Sequence, residues 1–597
     1  MTKNRVFGRP LPNASVPRNA YDMSKRINLQ MPFGAIIPCY AHQYIAGSHV
    51  KIKVDTFFRT ARVNTAAFPR LKMETEFFAV PIRYLWSYWD DFKLGIQDKN
   101  STSLYDSDGD NNPSEVPSFD IFSFWRDIDA ESVRTNYYDS IGMKWYLGAR
   151  RLLEGLGYGR FPLGLAPDAS AHPEYVQKLN LFKALAYQKV YYDHFRNTAY
   201  ESNDPFAYNA DHLFSAGDSV TSALLRKIFT LRYANYRKDY FQHIFPALNY
   251  VMSTPAQVMS SVPGWIQNLA SSSPITSSLD ANHWTFGPGT SPNNSIVVGN
   301  RQLSVSDGSS TTFAVHDHTV SVPGSIGYNV QSIRAAFALD KLQRSSAYAP
   351  KHVKDQYEAR YGIKFSSKSS YESYKIGSFD TDITIGEVVS TANTSGFSGD
   401  YLGDIGGKGL GASDPKAGFI EFTCPEDCIV IGVNYAIPRT MYDSARFDNW
   451  NCKLSQEDFF IPEFENMGLK PVYQKELTFV DYDSAGRPFL LNFNEFNIPL
   501  GFQTPYMEYK CDVDENRNLF ADPTSDLGQF TVHSNLSAHP YPLGGVSLTY
   551  FKVKPTDLDT IFFAQADGSE STDHLFGEMT FTIAVNQNMS VHGQPSL

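Results

Sequence analysis

One stretch of this sequence looks at first like a phosphate-binding loop. Residues 401–411 read YLGDIGGKGLG and contain a Gly-Lys pair. A P-loop needs four residues between its glycines and a Ser or Thr after the Lys, because that hydroxyl binds the magnesium ion. Here Gly409 follows Lys408, so the magnesium ligand is missing. We interpret this stretch as a flexible loop.

A second stretch resembles a calcium-binding loop. Asp106, Asp108 and Asp110 have the one-three-five spacing of the first three EF-hand ligands. However, Asn111 stands where the sharp turn needs glycine, and Pro117 stands where the bidentate Glu belongs. The pattern excludes an EF-hand and favours an acidic surface loop, with casual cation binding left open.

Histidine and cysteine pairs give no stronger signal for a metal. His316 and His318 would project from one face of a strand, but a zinc site needs further ligands, which the sequence does not identify. Exposed histidines are the better interpretation. Cys424 and Cys428 lack a second cysteine pair with matching spacing. The sequence therefore predicts neither a metal site nor a cofactor.

Motifs of common enzyme classes are absent from the sequence. It contains no G-x-S-x-G elbow and no H-E-x-x-H pair. The carboxylate pair of a glycosidase cannot be recognised from sequence alone, so that class stays open. An enzymatic function has no positive support.

The charge of the chain is unevenly distributed. Its 597 residues carry a net charge of −11. Residues 1–72 contain twelve Lys or Arg against two Asp, a net charge of +10, which leaves −21 for the remainder. Such asymmetry indicates a basic face that meets a polyanion. A solvated basic arm is the alternative interpretation.

Apolar runs and cysteines indicate the compartment. No run of eighteen apolar residues occurs, and the first residues, MTKNRVFGRPLPNASVPRN, lack the apolar core of a signal peptide. We therefore expect a soluble protein that is not secreted by that route. The five cysteines are odd in number and too sparse to staple the chain, so we expect reduced thiols in a cytoplasm.

The elements that must position these residues are mostly strands. Aromatic residues make up 14% of the chain, a composition that favours strands over helical bundles. Apolar Val50, Ile52 and Val54 alternate with charged residues, which predicts a strand with one buried face. Further strands are predicted at residues 76–81, which end at a proline, and at 428–436, 545–553 and 578–585.

Helices and long loops interrupt these strands. Apolar residues at three- and four-residue spacings predict an amphipathic helix over residues 173–196, and a broken helical stretch runs from 333 to about 361. Four stretches follow from this pattern. An extended basic N-terminal arm spans 1–31, which we expect a neighbouring molecule to hold. Strands with helical insertions span 32–250, a Ser/Thr/Gly-rich insertion spans 251–330, and further insertions and strands span 331–597.

Several segments resemble, in order, the major capsid proteins of the Microviridae, particularly of the gokushovirus-like phages. The most specific is residues 76–89, EFFAVPIRYLWSYW, which is similar to the family's F-F-V-P-x-R-L-V-W-x-x-W signature. Residues 33–44, followed by Gly47, resemble an early G-x-L-I-P-x-Y…P-G-D strand, with Ala46 and Ser48 in place of Pro and Asp. Other matching segments lie at 181–196, 237–246, 333–342, 357–365, 458–468, 500–510 and 589–597. The signature residues to which we assign a structural role are Phe77, Phe78, Pro81, Arg83, Trp86 and Trp89.

This resemblance implies a mainly β fold, an eight-stranded viral jelly-roll barrel with large loop insertions that contain some helices. It also implies a virion subunit that is assembled in the host bacterial cytoplasm into a small T=1 icosahedral shell around circular single-stranded DNA. The implied partners are copies of the chain itself, the packaged DNA, other virion or scaffolding proteins and a host-cell surface receptor. Composition alone indicates only a strand-rich chain with insertions.

Within such a shell, the basic N-terminal residues should face the DNA and pair with phosphates without reading sequence. The foremost candidates are Lys3, Arg5, Arg9, Arg18, Lys25 and Arg26. Residues 251–330 should form an outward protrusion used in host contact, with a plain surface loop as the alternative.

A competing hypothesis is a jelly-roll carbohydrate-binding or glycosidase-like protein. Trp86, Trp89, Trp265 and Trp284 would then stack on sugar rings. For Trp86 and Trp89, which lie among other large apolar residues, packing in a core or an interface is the better interpretation.

Overall fold

The structure is a computed structural model of the chain. It describes residues 5–6, 9–10, 17–61, 63, 70–94, 116–160, 176–202, 221–246, 275–276, 295–298, 301–305, 312–314, 334, 338, 341–342, 352–364, 371–389, 405–412, 418–465, 469–482, 488–490, 497–522, 525, 527, 548–558, 561–562 and 573–591. The chain divides into two compact units. Unit 1 comprises residues 1–248, 350–358 and 363–597, and unit 2 comprises residues 249–349 and 359–362.

Strands dominate the described residues. In chain order they are β1 (Arg5–Val6), β2 (Arg9–Pro10), β3 (Asn19–Asp22), β4 (Lys25–Met31), β5 (Ile37–Tyr44), β6 (His49–Thr60), β7 (Leu71–Pro81), β8 (Ser118–Asp120), β9 (Lys178–Asn180), β10 (Ile275–Thr276), β11 (Ser295–Val298), β12 (Arg301–Val305), β13 (Thr312–Ala314), β14 (Tyr374–Val389), β15 (Ile405–Ala412), β16 (Ile420–Thr423), β17 (Cys428–Pro438), β18 (Tyr442–Asp443), β19 (Lys470–Tyr473), β20 (Val480–Tyr482), β21 (Pro488–Leu490), β22 (Pro499–Gln503), β23 (Glu515–Asn516) and β24 (Leu575–Gln587).

The α-helices lie between the long strands. In chain order they are α1 (Trp89–Leu94), α2 (Ile121–Asp129), α3 (Glu131–Asn136), α4 (Trp145–Leu156), α5 (Phe182–Val190), α6 (Ser222–Ile228), α7 (Val353–Tyr361), α8 (Gln474–Leu477) and α9 (Leu548–Phe551).

Unit 1 is built on one large antiparallel sheet. Eight strands follow one another in the order β3-β24-β6-β15-β14-β7-β17-β5, while β4 pairs with β24 and β16 pairs with β6. Long insertions that contain helices leave this sheet between its strands. The architecture confirms the predicted mainly β class, a jelly-roll barrel with large insertions.

Burial along the strands follows their place in the sheet. In β6 the even-numbered residues are buried and the odd-numbered ones face outward, so the predicted alternation at residues 50–54 is confirmed and continues to Thr60. In β17 every residue is buried. Such a strand has no wet face, which explains its continuous apolar sequence CIVIG.

Helices from the insertions pack on the sheet and extend its core. Trp125 on α2 and Trp145 on α4 belong to the same buried cluster as Phe77 and Phe78 of β7. Helix α4 contacts β5 directly. A second, smaller core forms around Tyr240, Tyr442 and Leu500, and it supports the segments between β18 and β23. Unit 1 therefore has a main core and a satellite core.

The glycine-rich stretch predicted as a flexible loop is instead a strand in its described part. Residues 405–412 form β15, which lies between β14 and β6. The backbone N–H of Gly409 donates to Thr60 Oγ1 at 2.7 Å. A Cβ atom at Gly409 would lie 2.4 Å from Thr60 Cγ2, so the strand fits here because it lacks side chains.

Two other local predictions were wrong in part. Residues 548–551 of the predicted strand 545–553 form the short helix α9. The helix predicted from residue 173 begins only at Phe182, because residues 178–180 pair with β8 as strand β9. It ends in a π-helical turn, Tyr191–Phe195. Val176, placed on the predicted buried face, is 55% exposed.

The N-terminal arm is extended, as expected, but in its described part it is held by its own chain. Residues 19–22 and 25–31 pair along β24 as β3 and β4. The expectation that a neighbouring molecule holds the arm is therefore wrong for residues 19–31. In unit 2, the described strands form a four-stranded sheet in the order β10-β13-β12-β11.

We expect Gly409→Ala to destabilise unit 1 by about 1–3 kcal/mol, because the new methyl group would overlap Thr60 in a packed sheet. Urea unfolding of the purified chain, followed by fluorescence, measures the shift in midpoint. Gly386→Ala is the matched control, since Gly386 lies in the neighbouring strand and has no heavy atom within 4 Å of an added Cβ. Equal midpoints for the two variants would contradict this account of β15.

Candidate nucleic-acid interface

The structure places only part of the basic N-terminal group. Lys3 lies outside the described residues, and Arg5 and Arg9 lie in the two-residue strands β1 and β2. The exposed side chain of Arg18 donates a hydrogen bond to the backbone carbonyl of Gly47. Side-chain geometry is thus defined for three of the six candidates: Arg18, Lys25 and Arg26.

Lys25 and Arg26 are neighbours on β4 and project to opposite faces of the sheet. Lys25 Nζ lies 4.6 Å from the centroid of the Tyr40 ring, and burial lowers the pKa of this lysine. Arg26 Nε lies 2.9 Å from Glu578 Oε1. The charge of Arg26 is therefore compensated, whereas no carboxylate within the described ranges forms an ion pair with Lys25.

A groove of about 870 Å³ runs along β4. Its walls come from β4, β5, β6, β24 and the end of α4. Four cations, Lys25, Arg59, Arg151 and Arg160, line it against two carboxylates, Glu154 and Glu578, a net charge of +2. We call this cavity the β4 groove.

Two of the four cations have carboxylate partners. Arg151 Nη2 lies 2.7 Å from Asp573 Oδ1, and Arg160 Nε lies 3.8 Å from Glu154 Oε2. Both interactions reduce the positive charge that these side chains offer to a ligand. Lys25 and Arg59 instead lie against aromatic rings, so they contribute most of the available charge in the β4 groove.

Arg59 lies against one exposed ring and pairs in register with the residue that carries a second. Its guanidinium carbon is 5.2 Å from the centroid of Phe57, two residues earlier on the same face of β6. Phe576 of β24 stands directly opposite Arg59 in the antiparallel register. The two phenylalanines are 45% and 42% exposed, although large apolar side chains are usually buried.

This arrangement suits a single-stranded nucleic acid. Guanidinium and ammonium groups pair with phosphates whatever the base, and an exposed ring stacks on any base. Base–aromatic stacking contributes about 1–3 kcal/mol per base. The β4 groove therefore offers sequence-tolerant contacts of both kinds.

Sequence reasoning found only part of this groove. Arg59 was counted in the basic excess without being assigned to a site, and Phe57, Phe576 and Arg160 were missed. The alternation that exposes Lys51 and Lys53 continues along β6 and places Phe57 and Arg59 on the same solvent-facing side. The sequence pattern could therefore have predicted the exposure of these two residues. Phe576 joins them only through the pairing of β24 with β6.

Comparison with known proteins identifies the family. A family model described as capsid protein (F protein) of phages matches residues 10–117 and 164–597. The chain belongs to this phage capsid protein family. The capsid protein VP1 of Chlamydia phage 1 is 21% identical to the chain over 578 residues, which cover 90% of each protein. These findings confirm the resemblance to Microviridae major capsid proteins.

The match leaves out the first nine residues and one internal part of this capsid protein. Residues 118–163 separate the two matched ranges and include helices α2, α3 and α4. This insertion is well packed, since Trp125 and Trp145 are both at most 2% exposed. It therefore adds to the main core of the capsid fold.

The signature residues of the capsid family lie on β7 and just beyond it. Phe77 contacts Phe379 and Phe581 edge-on, with ring centroids 6.1 Å and 6.4 Å away. Phe78 stacks on His194 with centroids 4.6 Å apart. Pro81, which ends β7, is buried. Phe77 thus packs between strands of the sheet, whereas Phe78, on the other face of β7, fills the space between the sheet and the π-helical turn after α5.

The second half of the signature ties this segment to the turn before β17. Trp86 and Trp89 both contact the ring of Phe182, at 6.0 Å and 5.6 Å. Arg83 forms an ion pair with Glu426. The signature segment therefore contacts α5 on one side and the β16–β17 turn on the other.

At that turn, the Asp427 side chain connects three segments of the chain. Its carboxylate accepts hydrogen bonds from the Trp89 indole at 3.2 Å and from the backbone N–H of Ala46 at 3.0 Å, and it pairs with Lys93. The β5–β6 turn, the signature helix α1 and the β16–β17 turn are thus held by one carboxylate. Charge-assisted hydrogen bonds of this kind are stronger than neutral ones.

The other candidate sites remain without support from the described residues. In the ranges that the structure describes, no group of three His, Cys, Asp or Glu side chains could hold a metal ion. All five cysteines are free, and a hydrogen bond with Cys424 together with burial raises the pKa of Cys428. Residues 106–110 and 316–318 lie outside the described residues.

The carbohydrate hypothesis loses two of its four tryptophans. Trp86 is 1% exposed and Trp89 is 9% exposed, so neither ring is open to a sugar. Trp265 and Trp284 lie outside the described residues.

Among the helices that the structure describes, none is long and apolar enough to cross a bilayer.

We expect Asp427→Ala to lower the free energy of unfolding by about 2–3 kcal/mol, because it leaves the Trp89 and Ala46 donors without their acceptor. Asp382→Ala is the control, since that carboxylate is on the exposed face of β14 and should change stability by less than about 0.5 kcal/mol. Urea midpoints of the two variants measure the difference. A urea midpoint for Asp427→Ala within error of that for Asp382→Ala would contradict the stabilising role of the Asp427 carboxylate.

Proposed function

We propose that the chain is the major capsid protein that assembles into a T=1 icosahedral shell enclosing circular single-stranded DNA. The observation that carries this proposal is the match of a capsid family along residues 10–117 and 164–597. The curled sheet with large insertions supports it, since viral shells are commonly built from jelly-roll subunits.

The contact with DNA rests on the distribution of charge. Residues 1–72 carry +10, whereas the whole chain carries −11. The β4 groove lies within reach of this basic segment, because Lys25 and Arg59 both line it. Packaging a whole genome demands contacts that tolerate any sequence, which phosphate pairing and base stacking provide. We propose that the groove holds a stretch of the packaged strand, with Lys3, Arg5, Arg9, Arg18 and Arg26 contributing to the same basic surface.

Assembly takes place in the host bacterial cytoplasm in this proposal. Five free cysteines suit a reducing compartment, in which disulfides are rare. Other virion or scaffolding proteins take part as partners of the shell, and the finished subunit is a component of the virion.

Residues 251–330 provide the contact with the host in this proposal. They fall within unit 2, and none of the residues described there belongs to the core of unit 1. Ser-, Thr-, Gly- and Asn-rich loops tolerate exposure because water satisfies their backbone groups. A protrusion of this kind would present a surface to a host-cell receptor.

Cells that express the chain with the other genes of its genome should yield uniform closed shells containing nuclease-protected circular DNA. Negative-stain microscopy and extraction of the protected DNA measure both properties.

The double variant Lys25→Ala/Arg59→Ala should weaken binding of the purified chain to an oligo(dT) about tenfold. It should also lower the salt slope of log Kd by about 1.4, since each lost phosphate contact removes about 0.7.

Lys51→Ala is the control for that variant. Lys51 lies on the same strand and the same face as Arg59, but its ammonium group is 2.6 Å from Glu421. Its removal should leave the salt slope nearly unchanged. Isolated monomers in place of shells would contradict the capsid assembly and favour the carbohydrate-binding hypothesis, whereas an unchanged salt slope in the double variant would contradict the groove alone.

Deletion of residues 255–325 should leave particles that assemble and fail to adsorb to host cells, because the deleted residues belong to unit 2 and not to the sheet. Particle yield in sucrose gradients and adsorption of labelled particles measure the two effects separately. Normal adsorption by the shortened particles would eliminate the receptor role.

A further inference from the structure

A cluster of large apolar side chains lies exposed on the surface between β18 and β23. Trp450, Phe459, Phe460 and Tyr509 are each between 45% and 50% exposed, and Leu454 is 92% exposed. Phe464 is 38% exposed and belongs to the same segment. We call these six side chains the aromatic ledge. A cluster of this kind on a soluble protein marks a contact surface.

Three rings of the ledge, those of Trp450, Tyr509 and Phe460, are in contact with one another. The centroids of Trp450 and Tyr509 are 4.7 Å apart, and those of Phe460 and Tyr509 are 5.9 Å apart. Lys453 lies beneath them, with its ammonium nitrogen 4.2 Å from the centroids of both Trp450 and Tyr509 and 5.8 Å from that of Phe459. One cation therefore contacts three rings of the ledge.

A buried ion pair fixes this cation. Lys453 Nζ lies 2.7 Å from Glu508 Oε1, and their side chains are only 2% and 7% exposed. A buried pair of charges is costly to separate, so the rings above it are held in one arrangement. This support beneath the rings restricts their arrangement before a partner binds, which lowers the entropy cost of binding.

The ledge joins two segments that are distant in the sequence. Residues 449–464 form three consecutive 3-10 helices, and residues 507–509 form a fourth. The backbone N–H of Phe460 donates to the Tyr509 hydroxyl at 3.3 Å, and the Tyr506 hydroxyl donates to the Glu457 carbonyl at 3.3 Å. Both segments are anchored on their inner side, which leaves their outer rings facing solvent.

The exposed area is appropriate for a subunit contact. Aromatic side chains present roughly 150–250 Å² each. With about half of six large side chains exposed, the ledge offers on the order of 600 Å² of apolar surface. A stable interface buries about 800 Å² per partner, with an apolar centre and a polar rim. The ledge would form the apolar centre of one such interface.

Charge around the ledge selects which surface can face it. Residues 447–465 and 506–517 contain nine acidic and three basic residues. Arg439 and Arg446 pair with two of these carboxylates, Asp514 and Glu515, which leaves a net charge of −4 around the ledge. Two ledges placed face to face would bring −4 against −4, and like charges across an interface are unfavourable. Basic residues that are not assigned to the DNA surface exist on the same chain, among them Lys51, Lys53 and Lys72. A head-to-tail contact with a different, basic surface is therefore favoured over a self-complementary one.

We propose that the aromatic ledge is a subunit–subunit contact that docks onto a basic surface of a second copy of this chain. This inference rests on the proposed function, because a shell requires copies of the chain to associate. Head-to-tail contacts are also the kind that closes into the rings of three and five that an icosahedral shell contains. The ledge supplies the apolar centre of the contact, and its acidic rim supplies orientation.

Photo-cross-linking in cells that express the full chain with the other genes of its genome tests the proposal. With p-benzoylphenylalanine in place of Phe459, irradiation should give covalent dimers of the chain. The cross-linked peptide of the second copy should lie outside residues 447–517. The same photoreactive group in place of Phe419, which is 53% exposed and lies outside the ledge, sets the background for an equally accessible ring.

A matched pair of substitutions provides the second measurement. Phe459→Lys should raise the protein concentration needed for self-association about tenfold, because it places a cation against a basic surface and removes an apolar contact. Phe419→Lys makes the same change at equal exposure and should have no such effect. Equal urea midpoints of the two variants would show that folding is not the cause.

Four outcomes decide the matter. Chain-to-chain adducts from position 459 that map outside the ledge support the contact. If such adducts form but no closed shell does, the contact is still supported and only the proposed shell is contradicted. Closed shells without such adducts overturn the contact and leave the shell standing. Adducts to a different protein, or to the ledge of the second copy, also overturn it, since another partner or a self-complementary contact would then cover these rings.

Discussion

The pairing of the last long strand with the first ones is the constraint on which the rest of unit 1 depends. Strand β24 forms twelve register pairs with β6 and also carries β3 and β4 along its length. More than 500 residues of sequence separate the partners β4 and β24. Every backbone donor in the middle of a sheet needs a hydrogen-bond acceptor. One edge of β6 therefore lacks its hydrogen-bond partners until β24 pairs with it. The sheet can close only when nearly the whole chain is present, and such non-local pairing is slow to form.

The candidate nucleic-acid surface follows from this same pairing. The β4 groove exists because β24 brings Phe576 and Glu578 beside Phe57 and Arg59, and because β4 then adds Lys25 at the edge. Away from the groove, the insertions are tied to the C-terminal region by buried polar groups. Lys552 Nζ lies 2.7 Å from the Tyr191 hydroxyl and 3.5 Å from Glu201, and burial lowers the pKa of this lysine to about 8.

The aromatic residues divide into two populations with different roles. Those of the signature segment, such as Phe78 and Trp86, are at most 1% exposed and pack against α5 and its π-helical turn. Those of the β4 groove and of the aromatic ledge keep nearly half of their surface in water, although a cation lies against the rings at both places. Burial of the first group stabilises the subunit. In the proposed function, the exposed rings of the second group contact DNA or another copy of the chain, and burial of their apolar area would then stabilise the complex.

The sequence by itself determined the β class, the long strands at β6, β7, β17 and β24, and the family, because alternation of period two and short motifs are local properties. It also located the basic segment that contains Lys25 and Arg59. Only the tertiary structure decided that the glycines of β15 make a strand, since that depends on their close approach to Thr60 and not on their own preference. The same holds for the start of α5 at Phe182, where pairing of residues 178–180 with β8 overrides the helical spacing. Phe576 and the aromatic ledge could not be predicted either, because a side chain's exposure depends on which distant strand or segment packs beside it, and that information is not local in the sequence.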